Sequence, residues 1–516
     1  MNYAAIDFAE IAKEQTHLSF EERNGLLSVL WKQTATFQGK KGDWTGPPVL
    51  FEMIDGAKPF YARPYRIPQS LHETLKKKIN RLVDEGVLKP IKASEWTCPA
   101  FAIPKKDKAI RVVSDLRGIN KLINQKPYLV PLIQDIMPPI GKFRHATTIH
   151  LVMGYYSMRL SSVAKEKCVL YLPLDLYQYQ VLPMALVVSS DVFQEALGNL
   201  MLKLENVYCY LDDIIVIGNW SFQKHMAQVD EVLQRLRDKG LQVHLKKSAW
   251  VQDSVEYLGY IISREGIRPQ DNKIQEMLDL SAPMNQKYLC GFIGMVNFYK
   301  NMWPKRSSIL GPLTDMTGKG KKFTWAEVHQ NAFDSMKKLM AEGALLAFPD
   351  FTKKFTLHTD ASDLQIGGVL SQEGKPIGFF SKKFNPAQRK YTVTQRELLA
   401  IVETLKHFRN TIFGHDIEVF TDHQSLTYEN TDYPSDHILQ QHLTIEEYGS
   451  RIINVPGDSN VVADSLSRLP TTAGDVHSSV DKLFATEQDS IDTTVEFLLD
   501  DRVILREQAT DNFLQN

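Results

Sequence analysis

The stretch that most constrains this chain is Val207 to Trp220, VYCYLDDIIVIGNW. Two apolar runs, Val207–Leu211 and Ile214–Ile217, flank the adjacent carboxylates Asp212 and Asp213. β-branched and aromatic residues on both sides favour a pair of strands, with the acids at the tight turn between them. Two like charges beside a buried apolar hairpin are costly unless a cation compensates them. A divalent metal is the usual compensation, and Mg²⁺ prefers carboxylate oxygens. Taken alone, an Asp-Asp pair at a turn is more often an ordinary solvated hairpin. Its meaning therefore depends on what the rest of the chain supplies.

A second set of acids lies in residues 352–470. FTLHTDASDLQIGGVLSQ predicts a strand ending in Asp360 and a glycine-containing second strand. TQRELLAIVETLKHF predicts a helix with Glu397 on its first turn, and IEVFTDHQSL a strand ending in Asp422. GDSNVVADSLSRL begins a helix carrying Asp464. Acids at strand ends and helix starts can converge at one edge of an α/β sheet. The nearby His358 and Asp363 read as structural.

Elsewhere the punctuation is regular. Residues 1–45 are expected to be helical, with Ser19-Phe20-Glu21-Glu22 a capping-box pattern ahead of Leu26, Leu27, Val29 and Leu30. The extended segment KPFYARPYRIP (58–68) precedes a helix from Ser70 to Glu85, whose Lys76, Lys77 and Lys78 suit a solvated face as well as a phosphate. Residues 99–121 read as a hairpin with Lys105, Lys106, Lys108 and Arg111 at its tip. Ser221–Lys239 is an amphipathic helix closed by Gly240. Lys246 and Lys247 follow, and residues 265–345 are mostly helical.

Composition sets bounds. A chain of 516 residues suggests roughly three domains. No apolar run approaches the roughly 18 residues that span a membrane. Cys98, Cys168, Cys209 and Cys290 form no CxxC pair, which argues against a disulfide framework or zinc site and fits a reducing intracellular setting. A formal net charge of −1 does not by itself point to nucleic acid. The charge is uneven, however: residues 471–516 hold ten acids against three bases, leaving the preceding body modestly basic. Such a body is compatible with a polyanionic substrate.

The ordered motifs resemble a known family. Tyr210-Leu211-Asp212-Asp213 resembles the YxDD box of reverse transcriptases, and the hairpin at 99–121 resembles their fingers hairpin. Lys105 and Arg111 then match the positions that hold an incoming triphosphate. ATTIHLVMGYYSMRL (146–160) resembles the strand with the first catalytic Asp: Thr148, Leu151, Gly154, Tyr155 and Tyr156 match, but the acid position is His150. Tyr155 falls at the family's aromatic gate against a ribose 2′-hydroxyl. QYQVLPMALVVSSDVFQE (178–195) resembles the next motif, with Ala185 at a glycine position, and Tyr257-Leu258-Gly259-Tyr260 resembles the primer-gripping hairpin. The contexts TDAS, REL-LA, TDH and N-x-x-AD-x-LSR resemble the ribonuclease H domain of retroelements.

From about residue 18 to 470 the chain thus resembles the reverse transcriptase–ribonuclease H part of a gypsy-type LTR retrotransposon polyprotein, as a truncated piece or a decayed copy. The resemblance implies a multidomain α+β and α/β fold: a right-hand polymerase with fingers, palm, thumb and connection, followed by a ribonuclease H-like α/β domain. The expected division is a helical extension over 1–45, fingers and palm over 46–262, and thumb and connection over 263–350. A nuclease domain over 351–470 and an acidic, mostly disordered tether over 471–516 complete it. Two Mg²⁺ ions (Mn²⁺ is possible) are expected in each active site, held by Asp212 and Asp213 in one and by Asp360, Glu397, Asp422 and Asp464 in the other. The implied partners are an RNA template, a DNA primer, deoxynucleoside triphosphates and RNA–DNA hybrid. Lys246 and Lys247 join Lys105 and Arg111 as nucleic-acid contacts. No membrane is implied, the oligomeric state stays open, and the setting is cytoplasmic and particle-associated. An imidazole at position 150 brings no charge when neutral and suits Zn, Cu or Ni better than Mg²⁺. DNA synthesis is therefore expected to be impaired, while hydrolysis of RNA in hybrids persists. The alternatives are an active polymerase in which another acid substitutes, with no candidate visible, and a non-catalytic nucleic-acid-binding remnant.

Overall fold

The computed structural model describes residues 8–104, 110–126, 128, 136, 140–173, 175–318, 320–427 and 436–455. Its chain forms two compact units, one containing residues 143–258 with the chain up to Ile136, the other containing the described chain from Gly259 onward together with residues 140–142.

The first unit is built on a four-stranded antiparallel sheet, ordered Ala249–Gln252, His145–His150, Asp213–Gly218, Val207–Tyr210. Ile214, Ile215, Val216 and Ile217 are all fully buried, so both faces of their strand are covered. That is why the run is continuously apolar rather than alternating. The helices Ser189–Met201 and Phe222–Asp238 pack against this sheet. Ser221 caps the second helix by accepting from the Lys224 N–H, and Gly240 follows it in the left-handed region at φ +74°.

The expected helices near the N-terminus are Phe8–Glu14 and Phe20–Lys32, and the Ser19/Glu22 capping box is formed. They share the core of the unit: the Phe8 ring lies 5.6 Å from Phe37, which lies 5.9 Å from Trp250. The lysine-bearing helix runs His72–Asp84, burying Leu75, Ile79 and Leu82 while Lys76 and Lys77 face solvent. A five-stranded sheet completes the unit, ordered Leu88–Ile91, Leu176–Tyr179, Val169–Tyr171, Cys98–Pro104, Ile110–Ser114. Its last two strands are the expected hairpin, with Phe101 opposite Val113.

The second unit opens with a short hairpin and the helices Asp271–Leu278, Gln286–Phe298, Arg306–Thr314 and Glu327–Glu342. A five-stranded sheet follows, ordered Lys375–Lys383, Gln365–Gln372, Phe355–Ala361, Ile417–Thr421, Arg451–Asn454. The first three strands are antiparallel; Ile417–Thr421 runs parallel to Phe355–Ala361, and Arg451–Asn454 parallel to it. A parallel neighbour needs a crossover. The helix Val393–His407 supplies it, burying nine residues from Arg396 to Leu405. No helix among the described residues is long and apolar enough to cross a membrane.

Candidate active sites

The hairpin at the first site closes through the pair Tyr210–Asp213, leaving Leu211 and Asp212 as its two-residue turn. Leu211 takes φ +48°, a conformation that fits the twist of a tight hairpin but strains a residue with a Cβ. Gln194, only 4% exposed, fastens the turn. Its side-chain N–H donates to the Cys209 carbonyl at 2.9 Å and its oxygen accepts from the Leu211 N–H at 2.8 Å. Asp212 is thereby held with Oδ1 buried and without a hydrogen-bond partner. A Cβ on Gly154 would stand 2.1 Å from that oxygen and 2.5 Å from Phe193 Cζ, so only glycine fits there. Burial pushes the Asp212 carboxyl up to about 6, and Asp213 adds to the rise. His150 and Lys247 are near enough to oppose it.

His150 does not stand directly opposite Asp212 in the sheet. In the antiparallel register His150 stands opposite Asp213, with Ile149 opposite Ile214. The imidazole Nδ1 lies 2.8 Å from Asp213 Oδ1. This register sets fully buried Ile214 and Val216 against buried Ile149 and Thr147 and leaves the half-buried ends of the two strands, Asp213 and His150, facing each other. His150 is also pinned through its backbone. Its N–H donates to Ser248 Oγ at 3.1 Å and its carbonyl accepts from the His244 N–H at 2.8 Å.

The remaining first-site residues are partly assembled. Tyr155 is buried, its ring 4.9 Å from Phe193 and its hydroxyl 3.4 Å from Ser190 Oγ. Lys246 and Lys247 are exposed on the turn Leu245–Lys247. Arg111 lies on Ile110–Ser114, opposite Ile103, and its charge reaches Tyr156. Ala185 sits in a loop clamped by Asn120, whose side chain donates to the Ala185 carbonyl and accepts from the Val187 N–H, both at 3.0 Å. Lys105, Lys106 and Lys108 lie outside the described residues.

The second site is more compact. Asp360 ends the buried part of Phe355–Ala361, Glu397 projects from Val393–His407, and Asp422 directly follows Ile417–Thr421. Ligand oxygens of the three lie within 4.8 Å of one another, the one such group among the described residues. Asp360 is 5% and Glu397 3% exposed. The Ala361 N–H donates to Glu397 Oε1 at 3.1 Å, while Oε2 is buried with no hydrogen-bond partner. Burial, then the charges of Asp360 and Asp422, hold the Glu397 carboxyl well above the usual range. Three clustered carboxylates with a buried, unpartnered oxygen form a donor set for a hard divalent cation.

Glu397 is the fifth residue of its helix rather than part of the first turn, because the Thr392/Gln395 capping box starts the helix at Val393. Asp363 pairs with Arg396, and His358 stacks on Phe420 at 4.9 Å. Asp464 lies outside the described residues. Sequence reasoning missed the contact of Thr394 Oγ1 with His423 Nε2 at 2.8 Å. The TDH motif brought His423 into view, but nothing local pointed to its partner.

Residues 103–262 match the family described as reverse transcriptase (RNA-dependent DNA polymerase). Residues 325–419 match the RNase H-like domain found in reverse transcriptase. The chain is 29% identical over 475 residues to the retrovirus-related Pol polyprotein from transposon 297 of Drosophila melanogaster, covering 90% of this chain and 44% of that protein. It is 30% identical over 448 residues to the Transposon Tf2-3 polyprotein of Schizosaccharomyces pombe, covering 84% of this chain and 33% of that protein. The chain therefore spans between a third and a half of the length of these relatives. Its fold resembles the foamy viral protease-reverse transcriptase solved with double-stranded DNA, at a TM-score of 0.77 and 22% identity over 87% of this chain and 81% of that one. The same viral protein solved with an RNA/DNA hybrid gives 0.75 and 21% over 91% and 64%. A reverse transcriptase module and an RNase H-like module thus follow in order on one chain, as in the LTR retrotransposon polyproteins of gypsy type to which it is similar.

Proposed function

We propose that the chain hydrolyses the RNA strand of RNA–DNA hybrids and that its DNA synthesis is impaired. The observation that carries the first part is the convergence of Asp360, Glu397 and Asp422 within 4.8 Å. These residues would hold Mg²⁺ or Mn²⁺, with Asp464 as a further acid. When bound, the cation supplies an activated water and charge stabilisation at the scissile phosphate. The chain's own contribution is preorganisation. The Ala361 N–H fixes Glu397 Oε1, and burial of Asp360 and Glu397 keeps water from competing for their oxygens. The relative solved with an RNA/DNA hybrid supports this substrate class. The test is metal-dependent cleavage of a labelled hybrid by the chain and by Glu397→Gln; equal cleavage by both would show that the acids are misassigned.

The second part rests on His150. Of the acids at the first site, Asp213 is engaged at 2.8 Å by an imidazole where the family places a third carboxylate. Among the described residues, His150, Asp212 and Asp213 do not bring three ligand atoms together as the nuclease acids do. This donor set does not fit a pair of Mg²⁺ ions, which favour oxygen ligands. Binding of primer–template is a separate matter. Phosphate contacts dominate such affinity, and Arg111, Lys246 and Lys247 are the cations proposed to make them, with Lys105 as a further candidate. The reading is a nucleic-acid-binding protein with a working nuclease, acting in the cytoplasm within element particles.

A further inference from the structure

We propose that Thr394 and His423 form a positioning pair that holds Asp422 in the nuclease cluster and so sets its metal affinity; this rests on the nuclease reading above. The three acids are not held alike. Asp360 belongs to a central strand and Glu397 to a buried helix face, and the Ala361 N–H ties the two elements together at Glu397. Asp422 lies beyond the last residue of its strand, Thr421, and is only half-buried. Its neighbour His423 makes the link to the helix, through Nε2 to Thr394 Oγ1 at 2.8 Å.

The geometry makes this a second rung beside the acids. Thr394 and Glu397 are three residues apart in one helix, hence on one face. Asp422 and His423 are consecutive on the facing segment. Closing the 394–423 contact therefore brings 422 to 397. Both sides of the rung are anchored. The capping box fixes the first helical turn, with Thr392 accepting from the Gln395 N–H at 3.3 Å and Gln395 Oε1 accepting from the Thr392 N–H at 3.0 Å. On the other side the His423 N–H donates to the hydroxyl of fully buried Thr421 at 3.2 Å, and the His423 carbonyl accepts from the Leu426 N–H at 3.1 Å. Partners of this kind orient ligating side chains, and losing one typically weakens metal affinity about 10- to 100-fold.

The test is Mn²⁺ binding by the full chain, read from the free-ion electron paramagnetic resonance signal. Every protein carries Asp212→Asn so that the first site does not contribute. His423→Ala and Thr394→Val should each weaken Mn²⁺ binding about 10- to 100-fold. The double variant should be no weaker than either single, because both remove one contact. Thr394→Ser, which keeps the hydroxyl, should bind as the parent does. Hybrid cleavage should need more metal in the weakened variants yet reach the parent rate at saturation. Unchanged Mn²⁺ binding in both singles, additive losses in the double, or Thr394→Ser as weak as Thr394→Val would each overturn the pair. Should the parent bind no Mn²⁺, the nuclease reading falls and the pair with it. Should parent and singles bind alike, the pair alone falls.

Discussion

Acidification should destabilise the first unit through His225. This side chain is fully buried between Trp220 and Thr147. Its Nδ1 accepts from the Trp220 indole N–H at 3.3 Å, so the proton of the neutral ring resides on Nε2, 2.8 Å from Thr147 Oγ1. Protonation would set an Nδ1–H against the indole N–H, and both are donors. Burial, then the nearby His145, pushes the His225 imidazole down to about 3 from its ordinary 6.5. Below pH 6.5 the unfolded chain binds a proton that the folded chain refuses, so stability is lost as pH falls from 6.5 toward 3. Each pH unit in that window costs about 1.4 kcal/mol, so at pH 5 the loss is about 2 kcal/mol. His225→Gln keeps a donor and an acceptor but does not titrate. The assay is hydrogen exchange at pH 7.5 and 5.0 across residues 213–218, corrected for intrinsic rates. The native chain should lose about 2 kcal/mol more than the variant over that step. Equal losses would refute the assignment of a buried neutral imidazole.

Three further outcomes are expected. Asp360→Asn and Glu397→Gln should each abolish hybrid cleavage without unfolding the second unit; circular dichroism alongside the cleavage assay checks both, and a rate within tenfold of the parent counts against the cluster. Arg306, 3% exposed with its guanidinium on Asn297 Oδ1 and Nε unpartnered, is pushed down by burial to about 10. Arg306→Met should therefore raise the stability of the second unit by about 1–3 kcal/mol, measured by urea unfolding. Affinity for primer–template should fall steeply with salt, and Lys246→Ala with Lys247→Ala should flatten the log–log slope by about one per lysine; an unchanged slope would remove these cations from the phosphate path.

What could be read from the sequence was what is encoded locally. The YLDD hairpin follows from two apolar runs, rich in aromatic and β-branched residues, around two acids, and the Ser19 capping box from a four-residue pattern. The nuclease acids each sit in a local context, and the fold brings Asp360, Glu397 and Asp422 together. What escaped depends on distant partners. The pairing of His150 with Asp213 is a matter of strand register, which neither segment shows alone. Gly154 is ordinary in the sequence, and only the approach of Asp212 Oδ1 shows why no Cβ fits. The contact between Thr394 and His423 joins a helix start to a strand end, and neither residue type announces it. Glu397 moved from the first helical turn because the capping box, not the first apolar residue, sets where the helix begins.

The central claim is that position 150 decides whether the first site can make DNA. A carboxylate restored there would replace the imidazole now 2.8 Å from Asp213 Oδ1. A charged metal ligand contributes several kcal/mol to such a transition state, and each ~1.4 kcal/mol is tenfold in rate. The measurement is primer extension on an RNA template with Mg²⁺ by the chain as it stands, by His150→Asp, and by His150→Asp with Ala185→Gly. Extension by the original should run at least roughly two orders of magnitude below that of His150→Asp, with Ala185→Gly adding to the gain. Robust extension by the original chain would contradict the claim, and a folded double variant that still fails to extend would place the defect elsewhere.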